Sequence, residues 1–258
     1  MDQVSQHTNI REIKASTILT RTGIEGYDYC INPYVGCAHG CLYCYAVFMK
    51  RFTGHMEPWG EFVDVKVNAP EVLRRQLKRA REGSVLIGTV TDPYQSLESK
   101  YRVTRRCLEE LVGRQFSIDL LTRSGLVVRD ADLLRKMENI EVGLSVTTDN
   151  ENIKTVFEPH SPSIKSRIEA LRALHDGGIA TYAFIGPMLP LHPEKLVAML
   201  AGKVEQVLID RLNYANKVKT LYRRAGLSRY LEDAYFAETA SALKESFEKE
   251  GIPVSVIF

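Results

Sequence analysis

The sequence predicts an α/β protein in which helices cover a parallel sheet, with enough units for a partial (β/α)6 barrel. Two observations support this fold class. Six short apolar runs rich in β-branched and aromatic residues recur along the chain, and each is followed by a segment with helical spacing. Largely apolar strands that alternate with helices are typical of parallel sheets, and this order of elements suits an open sheet as well as a barrel.

The six predicted strands are short, as strands in globular proteins usually are. They lie at residues 27–31 (YDYCI), 84–90 (SVLIGTV), 117–122 (SIDLLT), 141–146 (EVGLSV), 179–186 (IATYAFIG) and 205–210 (EQVLID).

The segments between these strands carry the start and stop signals of helices. Several begin with Pro, Ser, Thr or Asp and end at Gly, which is the usual asymmetry between helix ends. The predicted helices lie within residues 41–52, 69–83, 104–114, 130–138, 161–178 and 192–202.

The chain beyond the sixth strand predicts a C-terminal helical extension and a candidate seventh strand. Residues 228–251 have helical spacing, and residues 253–258 read PVSVIF. With no repeat, low-complexity tract or Gly/Ser-rich linker, we expect one continuous domain. Within it we assign an N-terminal extension (1–26), the barrel (27–213) and a C-terminal extension packed on the barrel (214–258).

Composition is that of a soluble globular protein. The chain has 258 residues, of which 45% are hydrophobic and 26% charged, and its net charge of +2 indicates no particular partner. No apolar run approaches the roughly 20 residues of a membrane span, and the first residues lack the apolar stretch of a signal peptide. We therefore expect a cytoplasmic protein without a membrane partner, where clustered thiols bind metals more often than they form disulfides.

The loops that follow the strands predict where the chemistry lies, because active sites of such folds gather at the carboxyl ends of the strands. The cysteine cluster follows the first predicted strand. The later strands are followed by Thr91 and Asp92, by Arg123 and Ser124, by Thr147 and Thr148, by Pro187 and Met188, and by Arg211 and Asn213.

Cys37, Cys41 and Cys44 form a CxxxCxxC motif in the stretch NPYVGCAHGCLYCYA. A closed zinc site requires four ligands, and His39 would be a cramped fourth one because it lies two residues from two of the cysteines. Three cysteines can instead bind three irons of a [4Fe–4S] cluster and leave the fourth iron open, which favours catalysis over electron transfer. We expect the remaining cysteines, Cys30 and Cys107, to be buried structural thiols.

The CxxxCxxC spacing, with the aromatic Tyr43 directly before the last cysteine, resembles the signature of radical S-adenosylmethionine (SAM) enzymes. The resemblance implies a [4Fe–4S] cluster on Cys37, Cys41 and Cys44, with the amino and carboxylate groups of SAM on the open iron. It further implies reductive cleavage of SAM to methionine and a 5′-deoxyadenosyl radical that abstracts hydrogen from a substrate.

Further motifs resemble the spore photoproduct lyase-like branch of this superfamily, which includes proteins named DNA repair photolyases. In true spore photoproduct lyases a cysteine near the end of the second strand returns hydrogen to the substrate radical. This sequence has GTVTDP at residues 88–93, with no cysteine, so the hydrogen donor and the substrate stay open. The motifs are VKVNAPEVL (65–73), TDPYQSLE (91–98), LLTRSGLVVRD (120–130), GLSVTT (143–148) and FEPHSPSIKSRIEALRALHDGGI (157–179).

The resemblance also implies which residues bind SAM. Tyr43 and the backbone at Ile185 and Gly186 would contact adenine, and Ser145 and Thr147 would contact the ribose. Thr91 and Asp92 would contact the SAM amino group, and Arg123 and Ser124 the SAM carboxylate. For several of these positions a core, turn or loop-capping role is the alternative.

Two further residues of the branch pattern, Glu158 and Arg167, predict a structural ion pair, with a SAM contact as the alternative. Residues 211–229 contain six basic residues and no acid, interleaved with two tyrosines. Basic side chains with stacking aromatics suit nucleic acid, although basic runs are often only solvated helix faces. The candidate substrate-binding residues are Arg211, Tyr214, Arg223 and Arg224.

The sequence therefore predicts a radical SAM enzyme. Its substrate is not identified, and a nucleic acid is one candidate. The resemblance implies an electron donor such as a flavodoxin or ferredoxin, and we expect a monomer. The alternative is a noncatalytic iron–sulfur or zinc protein that binds nucleic acid.

Overall fold

A computed structural model describes residues 8–258. Its main sheet has eight strands, seven of them parallel: β2 (Leu19–Arg21), β3 (Tyr29–Ile31), β6 (Ser84–Ile87), β7 (Ser117–Thr122), β8 (Ile140–Ser145), β9 (Ala180–Ile185), β10 (Gln206–Ile209) and β11 (Val254–Val256). The spatial order is β11-β10-β9-β8-β7-β6-β3-β2, and β2 alone is antiparallel to its neighbour. The sheet is open, since β2 and β11 are its two edges.

All six predicted strands are present in the predicted order, so the α/β class and the partial barrel are confirmed. Each neighbouring pair from β3 to β10 is parallel, as the alternation of strands and helices requires. The candidate seventh strand is also present, because Val254 of β11 pairs with Val207 of β10 in parallel register.

The helices cover the sheet. Residues of their buried faces, such as Leu108, Leu171 and Leu243, are fully buried in the core. The α-helices are α1 (Ala69–Leu77), α2 (Glu98–Tyr101), α3 (Val103–Leu111), α4 (Ala131–Leu134), α5 (Glu151–Phe157), α6 (Ile164–Asp176), α7 (Pro193–Leu200), α8 (Ala215–Arg224) and α9 (Asp233–Lys249). In the described part of the chain, no helix combines the length and apolarity that a membrane crossing requires.

A second, smaller sheet was not predicted. It contains β1 (Asn9–Ile13), β4 (Tyr34–Val35) and β5 (Phe62–Lys66), in the order β1-β5-β4. Its strands come from the N-terminal extension and from both sides of the cysteine motif. Residues 1–7 of that extension lie outside the described residues.

The helix predicted across residues 41–52 is shorter than expected. Only Tyr45–Phe52 is helical, and it is a 3-10 helix. The preceding residues, which include Cys41 and Cys44, form turns instead.

Candidate functional site

A single cavity of about 680 Å³ collects most of the predicted site residues. It opens at the carboxyl ends of the parallel strands, and its walls contain side chains from the cysteine motif and from the loops after β6, β7, β9 and β10. The predicted residues that line it are Cys37, Cys41, Tyr43, Cys44, Thr91, Asp92, Arg123, Ser145, Gly186, Arg211 and Tyr214. Ser124, Thr147, Ile185, Arg223 and Arg224 are not among the lining residues.

The cysteine motif lies in a loop, residues 36–44, whose backbone is fixed by the loop after β6. Gly36 has φ +86°, and a Cβ there would collide with the backbone oxygen of Phe62, so this position requires glycine. Thr91 Oγ1 donates to the Gly36 oxygen at 2.5 Å, and the Ala38 N–H donates to Gln95 Oε1 at 2.9 Å. These contacts orient the loop before any cofactor binds.

The three thiols of the motif face the same cavity and are suited to iron. Burial raises the pKa of each thiol, for Cys41 to about 12, and the pKa of Cys37 is raised further by Asp92 and the other two cysteines. A metal that binds such thiols displaces their protons and takes up the negative charge that burial disfavours.

The motif supplies three cysteines from one loop, one ligand fewer than a closed zinc site requires. A zinc ion, with bonds of about 2.3 Å to sulfur, needs its ligands grouped around one point. Within residues 8–258, no three His, Cys, Asp or Glu side chains are grouped closely enough to hold one metal ion. In a cluster, each cysteine instead binds its own iron.

Tyr43 is part of a buried network behind the loop. Its hydroxyl donates to Glu158 Oε1 and accepts a hydrogen bond from Arg123 Nη2 at 3.2 Å. Glu158 also accepts from Thr147 Oγ1 at 2.8 Å, so Thr147 contacts the network and not the cavity. The predicted ion pair is present as well, because Arg167 Nη2 donates to Glu158 Oε2 and both side chains are fully buried.

Asp92 connects the loops after β6 and β7. Burial alone would raise the pKa of Asp92, but His39, with Nε2 at 3.2 Å, and hydrogen bonds from Thr122 Oγ1 and the Arg123 N–H lower it to about 2. Asp92 is therefore ionised at neutral pH and faces the cavity with its negative charge.

Among the described residues, Ser145 Oγ is a buried polar atom of the cavity wall that has no hydrogen-bond partner. Arg123 Nε makes no hydrogen bond either, but it lies 3.7 Å from Glu158 Oε1 in an ion pair. Buried polar groups are nearly always paired in native proteins, so an orphaned atom in a cavity wall indicates a missing ligand. SAM offers ribose and carboxylate oxygens to Ser145 and Arg123, and the residues present therefore fit this cofactor.

The other predicted contacts have structural explanations. Ser124 caps the turn after β7, since its Oγ accepts from the Leu126 N–H at 3.3 Å. The Ile185 side chain is fully buried, and its carbonyl accepts from the Asp210 N–H at 3.0 Å. At Gly186 a Cβ would collide with the Phe184 ring, so this glycine admits close packing at the cavity wall.

The predicted substrate-binding residues separate into two groups. Tyr214 stacks on Tyr45 at the cavity, with ring centroids 6.2 Å apart, and Arg211 lines the cavity while it pairs with Asp233. Arg223 and Arg224 instead lie exposed at the end of α8.

The sequence analysis did not identify a polar group at the floor of the cavity. Tyr182 donates to Asp119 Oδ1 at 2.7 Å, and Tyr27 donates to Oδ2 of the same carboxylate. All three residues line the cavity. One signal was available, because Asp119 is the single charged residue of the otherwise largely apolar strand SIDLLT.

Comparisons with known proteins agree with this geometry. Residues 31–201 match the family model of the Radical SAM superfamily. An uncharacterized protein of Methanocaldococcus jannaschii is 39% identical over 181 residues, which cover 70% of this chain and 68% of that protein. An uncharacterized protein of Mycobacterium tuberculosis is 28% identical over 190 residues, which cover 68% of this chain but only 56% of that protein.

Solved structures of spore photoproduct lyase share the fold. The structure complexed with dinucleoside spore photoproduct has a TM-score of 0.73 at 15% identity, over 96% of this chain and 82% of that chain. A double mutant with bound AdoMet and dinucleoside spore photoproduct has a TM-score of 0.70 at 15% identity, over 95% of this chain and 80% of that chain. At this identity the likeness shows the fold alone.

Proposed function

Because the chain belongs to the radical SAM superfamily, whose enzymes use a [4Fe–4S] cluster and SAM, we propose that Cys37, Cys41 and Cys44 hold that cluster. The observation that carries this assignment is that three thiols from one loop line the same 680 Å³ cavity at the strand ends. When bound, the cluster supplies the electron that cleaves SAM to methionine and a 5′-deoxyadenosyl radical, which abstracts hydrogen from the substrate.

The residues around the cavity support SAM binding through complementary charge. Asp92 is ionised and would attract the SAM ammonium group, while Arg123, which lines the cavity and pairs with Glu158 at 3.7 Å, would bind the SAM carboxylate. Ser145 would bind a ribose hydroxyl through its unpaired Oγ. Tyr43, within the cysteine loop, is held by Glu158 and Arg123, so its ring is already ordered.

The direct test is SAM cleavage. Protein reconstituted anaerobically with iron and sulfide is reduced with dithionite, mixed with SAM, and assayed for 5′-deoxyadenosine by mass-detected chromatography. We expect the product with the wild type and with Cys30→Ala, and none with Cys41→Ala. A Cys41→Ala protein that cleaves SAM as well as the wild type would contradict the assignment.

We further propose that the substrate is an unpaired nucleotide of a nucleic acid. Spore photoproduct lyase, which shares the fold, is complexed with a dinucleoside spore photoproduct. Two features support this proposal. The stacked rings of Tyr45 and Tyr214 stand exposed at the cavity mouth, and α8 leads away from them with exposed Lys219, Arg223 and Arg224. Aromatic faces hold splayed bases, and basic side chains bind the backbone.

Oligonucleotide binding tests the substrate class. Fluorescence anisotropy with a labelled single-stranded oligonucleotide should show weaker binding for Arg223→Ala/Arg224→Ala than for the wild type. The slope of log affinity against log salt should fall by about 0.7 for each lost phosphate contact. A double variant that binds the oligonucleotide with unchanged affinity and salt slope would refute the proposal.

A further inference from the structure

The deepest part of the cavity holds a carboxylate between two tyrosines. Tyr27, Asp119 and Tyr182 form this group, the cavity floor, and all three line the cavity. Tyr182 donates to Asp119 Oδ1 at 2.7 Å, and Tyr27 donates to Oδ2. None of the SAM contacts proposed above involves these residues, so the cavity floor is free to bind another group.

A glycine on β8 makes room for the cavity floor. Gly143 pairs with Tyr182 in the register of β8 and β9, and with Leu121 in that of β7 and β8. A Cβ on Gly143 would collide with the Tyr182 ring, so the ring crosses β8 where the glycine leaves space. The Tyr182 hydroxyl can therefore reach Asp119, which lies two strands away on β7.

The cavity floor is separated from the residues proposed for SAM by apolar walls. Asp119, Leu121 and Arg123 alternate along β7 and the residue after it, and all three line the cavity. Because a strand rises about 3.3 Å per residue, Asp119 lies about 13 Å from Arg123 along the strand. Between these two levels the cavity is lined by Leu121 and by Phe184 and Leu208, which pair in the register of β9 and β10. A flat apolar ring would suit this space.

The cavity floor offers hydrogen-bond acceptors to a ligand. Each tyrosine has one hydroxyl proton, and both protons are donated to Asp119. Burial raises the pKa of Tyr27 and Tyr182, so both tyrosines keep these protons. The oxygens of all three side chains have lone pairs left, and Glu25, two residues before Tyr27, adds a further carboxylate to the cavity lining. A ligand that reaches the cavity floor must therefore bring donors.

We propose that the cavity floor binds the Watson–Crick edge of an unpaired guanine. The inference rests on the proposed function, since it names the base of the nucleotide substrate proposed there. Guanine carries N1–H and the N2 amino group side by side, and these two adjacent donors match the acceptors of Asp119 and its tyrosines. Its flat faces suit the apolar walls above. Enzymes that act on an extruded base read it in this way, through hydrogen bonds to its Watson–Crick edge and contacts of its faces with aromatic or apolar side chains.

Other ligand groups match the cavity floor less well. Thymine and uracil have one N–H between two carbonyl oxygens, and adenine and cytosine have an amino group beside an acceptor nitrogen. An acceptor placed against the acceptors of the cavity floor leaves both groups unpaired, which a buried site rejects strongly. An arginine guanidinium also has adjacent donors, but the stacked Tyr45 and Tyr214 at the cavity mouth favour a nucleic acid over a peptide.

The test compares three single-stranded probes on the reconstituted holoprotein. Each probe is a labelled pentanucleotide in which only the central position has a base, which is guanine, hypoxanthine or thymine, and the other positions are abasic. Hypoxanthine is guanine without the N2 amino group, so the comparison isolates one donor. Affinity is measured by fluorescence anisotropy with SAM present and no reductant, so that no radical forms.

Two variants each replace a carboxylate that contacts a tyrosine by the corresponding amide. Asp119→Asn places an N–H donor at the cavity floor and keeps the size of the side chain. Glu98→Gln is the matched control, because Glu98 is fully buried and accepts from the Tyr34 hydroxyl but is not among the lining residues of the cavity. The preference between probes is compared within each protein, so a general loss of stability does not imitate a change in preference.

We expect the wild type to bind the guanine probe about tenfold or more tightly than the hypoxanthine probe, the value of one hydrogen bond to a charged acceptor. The thymine probe should bind no better than the hypoxanthine probe. Asp119→Asn should bind the guanine and hypoxanthine probes with nearly equal affinity, because one of its acceptors has become a donor. Glu98→Gln should keep the wild-type preference.

Equal binding of the three probes by the wild type would overturn the guanine site alone, and so would tightest binding of the thymine probe. An Asp119→Asn protein that keeps the full preference for guanine would overturn it as well. If N-acetylarginine amide displaces the guanine probe more readily than deoxyguanosine does, the cavity floor is assigned to an arginine side chain and the proposal fails. Failure of all three probes to bind would contradict the proposed nucleic-acid substrate, and the guanine site with it.

Discussion

Replacing Arg167 by methionine tests the buried ion pair behind the cysteine loop. Arg167 and Glu158 are both fully buried, and the guanidinium donates to Glu158 Oε2, to Ser161 Oγ at 2.7 Å and to the Ser145 carbonyl at 2.9 Å. Methionine fills a similar volume but donates no hydrogen bond. Glu158 would then keep a buried negative charge without its main partner.

Loss of one partner of a buried ion pair typically costs about 3–5 kcal/mol of unfolding free energy. Here the cost should fall in that range at neutral pH, because the carbonyl of Ser145 also loses its donor. Replacing both residues removes the stranded charge, so the Glu158→Gln/Arg167→Met double variant should be more stable than Arg167→Met.

The pH dependence follows from the pKa of Glu158. Burial alone would raise this pKa, but Arg167, Arg123 and the Tyr43 hydroxyl hold it below its usual range. In the wild type the carboxylate therefore stabilises the fold above the unfolded pKa of about 4.3, and this stabilisation is lost as the pH falls through the folded pKa. Without Arg167 we expect burial to raise the pKa of Glu158 above its unfolded value, so the carboxyl takes up a proton on acidification.

The assay is urea unfolding followed by circular dichroism between pH 5 and pH 8, with all proteins in the same cluster-free form. The stability difference between wild type and Arg167→Met should be largest at pH 8 and should shrink toward pH 5. A single-variant cost below about 1 kcal/mol, compared with the 3–5 expected, would refute a tightly coupled pair. A double variant that is no more stable than Arg167→Met would also refute a tightly coupled pair.

Three further predictions concern the cavity. Alanine at any one of the three motif cysteines should abolish the [4Fe–4S] absorbance and SAM cleavage. Cys30→Ala and Cys107→Ala should keep the wild-type iron content. Iron and sulfide analysis of each variant checks these outcomes. Gly36→Ala should destabilise the loop by more than about 1 kcal/mol and reduce iron loading, because Gly36 has φ +86° and no room for a Cβ. Gly54→Ala is the control, since Gly54 has open space around it. Equal stability and iron loading of the two variants would contradict the reasoning. Ser145→Ala should weaken SAM binding about two- to tenfold, the value of one ordinary hydrogen bond, at unchanged iron content. Equilibrium dialysis with labelled SAM measures the affinity, and an unchanged affinity would exclude the contact.

The main sheet was predictable because each of its strands carries the signal in its own residues. SIDLLT became β7 with the predicted bounds, and the other five runs became strands within one to three residues of them. The small sheet was predictable only in part. β5 (FVDVK) carries a β-branched pattern of its own, whereas β1 (NIREI) and the two-residue β4 depend on their pairing with β5, and pairing between distant segments leaves little local pattern.

The site could be predicted in part, for a related reason. The CxxxCxxC motif contains all of its candidate ligands within one loop, so they can be recognised from the sequence. The position of Asp92 and Arg123 at the site follows from the topology, because both residues come directly after parallel strands. Asp119 and Tyr182 lie within strands, and their contact depends on which neighbouring side chains point into the barrel. The alternation of side chains along a strand shows which of them point into the barrel only once the pairing register of the strands is known.

The two sides of the cysteine loop differ in what they contact, and this difference has a functional consequence. On the inner side, Tyr43 is tied through Glu158 to Arg167, so that side of the loop has little freedom to move. On the outer side, Phe52 and Met56 are exposed and the charge is positive. The side of the loop that faces the cavity is therefore fixed before a ligand binds, and preorganised contacts of this kind favour controlled chemistry. Variants of Glu158 and Arg167 should change how tightly the cavity binds SAM, whereas variants of the exposed Phe52 and Met56 should leave SAM binding unchanged. Equilibrium dialysis with labelled SAM on both sets of variants would test this difference between the two sides of the loop.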